Sequence, residues 1–180
     1  MASSGAPWGW RSTRALCALL PALCAAPAVG APASEPDLKA AFVFNFTVFT
    51  EWPDSALAAG APISLCAGAG NPMLAALTQL NDKLVNGHRI AVRADAAPLR
   101  SCHVLVLDRS DRVRWAQIKR ELAGANVLTV SDDSGISGDG AVIALSKEDQ
   151  RIGFDVDIGA ARGAQLNLSS KLLRLARSVQ

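Results

Sequence analysis

Chemistry-bearing residues are scarce in this chain. It has two histidines, His88 and His103, among 180 residues. They form no pair at helical spacing, so a zinc site has no pattern to rest on, and His103 reads as a satisfied histidine at a strand edge. No GxSxG elbow, P-loop or GxGxxG turn occurs, which removes the usual signatures of serine hydrolases, nucleotide hydrolases and dinucleotide enzymes. Gly68-Ala69-Gly70-Asn71 stands between a predicted strand and a predicted helix, as a phosphate-binding turn would, but it lacks a third glycine and a basic neighbour. The run SDDSGISGDG gathers Asp132, Asp133 and Asp139, yet its spacing does not fit a twelve-residue calcium loop and no glutamate closes it. Asp155 and Asp157 alternate with Phe154, Val156 and Ile158, so both carboxylates are expected on one sheet face, with no nucleophile to serve. No enzymatic activity, metal or cofactor is expected.

Excess charge is also missing. Arg11 and Arg14 precede an apolar stretch from Ala15 to Ala28, followed by Ala31-Pro32-Ala33. That is the order of a secretory signal peptide, expected over residues 1–33, with a domain over 34–180. Cys24 follows Leu23 rather than a small residue, which argues against lipidation. Without those two arginines, sixteen of the eighteen basic residues face sixteen acidic ones. A neutral domain has no basic field for nucleic acid or an anionic membrane. No linker, low-complexity run or repeat divides it, so one exported domain with a single core is expected.

What is present is apolar surface. In KAAFVFNFTVFTEWP (Lys39–Pro53), Phe42, Phe46 and Phe49 share one helix face while Phe44 and Val48 cover another. Such a helix belongs in a core or against a partner chain. At about three turns, flanked by Lys39 and Glu51, it is too short to span a bilayer; Trp52-Pro53 is expected to stop it. Further along, Ile63–Ala67 reads as a strand and Asn71 caps a helix from Pro72 to Leu80. Asn86-Gly87 signals a turn before a strand over His88–Arg93. Cys102–Leu107 and Val127–Val130 read as buried strands. Between them Ser110-Asp111 caps a helix through Leu122, facing inward with Val113, Ile118, Leu122 and Trp115. This order implies a mostly parallel α/β sheet flanked by helices. Ala141–Leu145 and Arg151–Ile158, joined by Lys147–Gln150, form a C-terminal antiparallel hairpin at the sheet edge. A helix over Lys171–Val179, capped by Ser169-Ser170, follows.

Two of the four cysteines fall in the signal. The others, Cys66 and Cys102, would sit in an oxidising compartment where disulfides persist. They are either bridged or two separate buried thiols, and a bridge requires Cα atoms within about 7 Å.

The succession KAAFVFNFTVFTEWP, ISLCAGAGNP, NGHRIAVR, CHVLVL, VLTVSD, IGFDVDI and LNLSSKLLRLAR resembles the YfiR family over residues 38–179. The resemblance implies a periplasmic, non-enzymatic repressor. It would bind the periplasmic part of an inner-membrane diguanylate cyclase, lowering cyclic di-GMP and biofilm formation, with a tendency to dimerise. Cys66 and Cys102 match the family's first cysteine pair; the second pair is missing, since Ala141–Leu145 contains no cysteine. Asp155 stands where the family has a glutamate that contacts the cyclase, and Val142, Ile143 and Phe154 accompany it in the implied partner-binding set. Nucleic acid is not an expected partner, nor is membrane insertion once the signal is removed. The alternative is a periplasmic small-ligand-binding protein serving a sensor kinase or an outer-membrane transporter.

Overall fold

Among the described residues, twenty-six of apolar core are gathered on one side of the sheet and eleven on the other, and these two clusters decide which faces of the sheet stay open. The structure is a computed structural model that describes Gly5, residues 33–149 and residues 151–180. Apart from Gly5 and Ala33, the expected signal peptide lies outside the described residues. Ala33–Gln180 make up one unit.

Chain order explains the architecture. Helix α1 (Glu35–Val48) leads into strand β1 (Thr50–Glu51) and then β2 (Ile63–Ala67). Helix α2 (Leu74–Thr78) is followed by β3 (Leu84–Val85) and β4 (His88–Ala94). Next come β5 (Val104–Leu107), helix α3 (Trp115–Leu122) and β6 (Leu128–Ser131). Helix α4 (Ser134–Ser137) precedes β7 (Ile143–Glu148) and β8 (Arg151–Val156). Helix α5 (Ile158–Gly163), β9 (Asn167–Leu168), α6 (Ser170–Leu175) and β10 (Ser178–Val179) complete the chain. Among the described residues, eight strands form one sheet in the order β10-β8-β7-β6-β5-β2-β4-β3, and β1 pairs with β9 apart from it. The five strands from β7 to β4 are parallel, and β8 turns back antiparallel to β7. The expected mostly parallel sheet with flanking helices and a C-terminal hairpin is therefore present. The hairpin is not the edge, however: β10 pairs outside β8.

Helix α1 starts earlier than its apolar run. Ser34 Oγ accepts the Asp37 N–H and Asp37 reaches back to the Ser34 N–H, a capping box that satisfies two free donors of the first turn. The helix also ends earlier than Trp52-Pro53, at Val48, because Thr50–Glu51 is drawn into pairing with Asn167–Leu168. Its inner face is Ala40, Val43, Phe46 and Thr47, while the other phenylalanines are half-buried. Phe46 packs edge-on against Phe154 at 4.9 Å between ring centroids.

Elsewhere the expected helices shorten. Asn71 does not cap α2 at its start. Its Oδ1 accepts the Met73 N–H in a turn and its amide donates to Val106 O, leaving α2 five residues long. The segment Arg109–Arg114 is a 3-10 helix capped by Asp108, so Val113 points outward at 90% exposure while Trp115 and Ile118 face the core. Asn86 and Gly87 both have positive φ (48° and 89°), as a tight hairpin turn between β3 and β4 requires. The last helix ends at Leu175, and residues 178–179 are strand rather than helix.

Candidate partner-binding surface

The outer face of the β7–β8–β10 corner opens onto a groove with α4 at one side. Phe154 and Leu145 are paired across the hairpin and turn toward α1, so the neighbouring pair, Ala144 and Asp155, faces the opposite way. That face forms a groove of about 470 Å³ bordered by Asp132, Ala144, Ser146, Asp155, Asp157 and Arg177.

Arg177 is the organising side chain. Its guanidinium pairs with both Asp155 and Glu148, and Ser178 Oγ donates to Asp155 Oδ1 at 2.9 Å. The arginine stem lies flat on Gly153, where a Cβ would come within 2.7 Å of Arg177 Cδ. Burial pushes the Asp155 carboxyl up, but the hydrogen bonds from Arg177 and Ser178 outweigh it and hold the group below its ordinary value. A second set of charges closes the rim. Lys147 pairs with Glu35, which also pairs with Lys39, and Lys39 reaches Asp132 at 2.7 Å. Hydrogen bonds from Lys147 and Lys39 lower the Glu35 pKa to about 2. Ser146 Oγ, also on this face, is buried and finds no hydrogen-bond partner among the described residues.

The structure changes the role of three residues in the implied partner-binding set. Val142, Ile143 and Phe154 are all buried in the larger core, so they support the surface from beneath. A partner could reach them only by unpacking the sheet. Asp155 alone of the four opens onto the groove. Asp157 borders it too, but its carboxylate accepts the Ala160 N–H at 2.7 Å as the cap of α5.

Other candidates resolve into structural roles. Asp133 caps α4 and takes Arg112 Nε at 2.8 Å, and Asp139 pairs with Lys119. His88 Nδ1–H donates to Ala61 O at 2.7 Å. His103 Nδ1 accepts the Ser64 N–H at 2.9 Å, which puts its proton on Nε2, facing Ala56 O at 3.1 Å. Burial pushes the His103 pKa down; the Ala56 carbonyl opposes this and the nearby His88 adds to it. An unfolded chain with an ordinary imidazole takes up the proton first, so stability is full above about pH 6.5 and falls as pH drops from there through the folded-state value. Denaturant midpoints are expected to fall as the pH is lowered from about 7, with a shallower fall in His103→Gln; an unchanged slope would assign the effect to other groups.

The bridge between Cys66 and Cys102 is formed, with Cα atoms 6.0 Å apart. The ladder pairs Cys66 with Leu105, so the bridge ties Cys66 not to its ladder partner but to the residue two positions before β5.

The YfiR/HmsC-like family matches residues 36–177. The chain belongs to that family. A solved structure of a conserved domain protein from Vibrio cholerae O1 biovar eltor is similar in fold, with a TM-score of 0.50 at 10% identity. The similarity covers 82% of this chain but 60% of the Vibrio chain. No curated protein matches. Beside Asp155, Arg177 borders the groove and Ser178 hydrogen-bonds the carboxylate, and sequence reasoning passes over both. The available signal is Gly153, since a glycine inside a strand marks a close approach by something else.

Proposed function

We propose that the protein is a non-enzymatic periplasmic regulator. It binds the periplasmic sensor part of an inner-membrane diguanylate cyclase through the groove face of the β7–β8–β10 corner and holds the cyclase inactive. Membership of the YfiR/HmsC-like family over residues 36–177 carries this reading. The groove supports it with the properties of a protein-contact surface: small residues that admit a partner closely and paired charges at the rim. Among the described residues, no helix is long and apolar enough to cross a membrane.

The test is capture of the mature protein's partner from solubilised inner membrane. Recovery of a cyclase with a periplasmic domain is expected, with a rise in cyclic di-GMP and biofilm when the gene is deleted. Ala144→Arg, which plugs the groove without touching the core, is expected to weaken capture by roughly tenfold or more. Capture of a sensor kinase or transporter in place of a cyclase, or an undiminished yield from Ala144→Arg, would overturn the pathway or the surface respectively.

A further inference from the structure

The sheet has a second opening, on the face away from α1 and apart from the β7–β8–β10 groove. After β2 the chain crosses to β4 by way of α2, which packs with α1 in the larger core. After β5 it crosses in the other lateral direction to β6 by way of α3, in the smaller core. β2 and β5 are neighbours, so their carboxyl ends diverge and leave a crevice between them, the position where open α/β sheets hold ligands. Here the crevice is a cleft of about 330 Å³, at the small end of the range for organic ligands.

Its floor is apolar: Cys66, Leu105, Leu107 and Ile118 line it and belong to the smaller core. Its rim carries charge. Asp95, held at φ 49°, sends Oδ1 to the Ala69 N–H at 2.8 Å, and its other oxygen makes no hydrogen bond among the described residues. Across the cleft, Arg114 is turned to Asp111 at 2.8 Å.

The same contacts decide what the glycine loop Gly68–Asn71 can hold. A phosphate would need the loop's backbone donors, but the Ala69 donor is already given to a carboxylate, and the bordering guanidinium is paired. With two carboxylates to one guanidinium, the rim favours a cation over an anion. We propose that the cleft binds a small primary amine, its apolar body on the aliphatic floor and its ammonium group on the free oxygen of Asp95.

Two variants separate this site from the fold. Asp95→Asn keeps an acceptor for Ala69 and suits a positive φ, while removing the charge. Gly68→Leu fills the mouth; a Cβ there would meet nothing closer than Asp95 Oδ1 at 4.0 Å. Phenethylamine and phenylacetate serve as probes of similar shape and opposite charge, titrated calorimetrically into the oxidised mature protein. The amine is expected to bind and the acid not. Asp95→Asn should weaken the amine by roughly tenfold or more, and Gly68→Leu should abolish binding, with unfolding curves confirming that both variants fold. The proposal is overturned if the amine does not saturate the protein, if phenylacetate binds equally, or if the folded variants bind unchanged.

Discussion

Phe46→Ala is expected to destabilise the domain by about 3–5 kcal/mol, as truncation of a fully enclosed aromatic does. Phe46 is fully buried. Its ring meets Phe154 at 4.9 Å and Phe42 at 6.0 Å, so removal empties the junction between α1 and the β7–β8 hairpin. The cost combines lost transfer energy with a cavity that a helix on one side and a sheet on the other cannot close. Phe42→Ala should cost clearly less, because that ring is half-buried. Equilibrium urea unfolding of both variants checks this. Equal losses would mean that α1 is held by its polar ties to Asp132 and Lys147 rather than by its aromatic face.

The second large effect belongs to the disulfide. Cys66 and Cys102 are separated by 36 positions, and releasing that loop is expected to cost about 3–4 kcal/mol through the entropy regained by the unfolded chain. Cys66→Ala with Cys102→Ala is the cleaner form of the experiment, since both sulfurs are buried and a serine would add an unpaired hydroxyl. In a domain of this size the melting temperature should fall by roughly 6–16 °C. A fall of only a degree or two would show that the unbridged chain already keeps β2 and β5 together when unfolded.

The parts of the fold legible in the sequence are those governed by local chemistry. Asn86-Gly87 names its turn, VLVL names a strand buried on both faces, and the alternation of strands with helices implies the parallel sheet. The misreadings have separate causes, the first being tertiary pairing that overrides local preference. Lys171–Val179 reads as one helix, yet the Arg177 N–H donates to Phe154 O and the Gln180 N–H to Val156 O, which pulls the segment into the sheet as β10. Counting at the α-helical period places Val113 on the inner face, whereas a 3-10 turn advances by three residues and rotates it into solvent. The hairpin shows the sharpest limit. Alternation tells which residues share a face, but not whether another layer covers that face. Val142, Ile143 and Phe154 therefore read as contacts although the sheet buries them. Asp155 enters only through the resemblance, and Arg177, which clamps it, gives no signal of its own.

The ties of α1 also govern how the domain is assembled. Glu35 pairs with Lys147 across 112 positions and Lys39 with Asp132 across 93, and Phe46 waits for Phe154. Beyond its packing with α2, the first helix gains these partners only from Asp132 onward, and the face that meets Phe154 remains exposed until β8 is available. Such late, non-local docking makes folding slow and leaves an early sticky surface. The hazard falls on the nascent chain rather than the finished domain: refolding yield should decline with protein concentration, while the native protein stays in solution at the same concentrations.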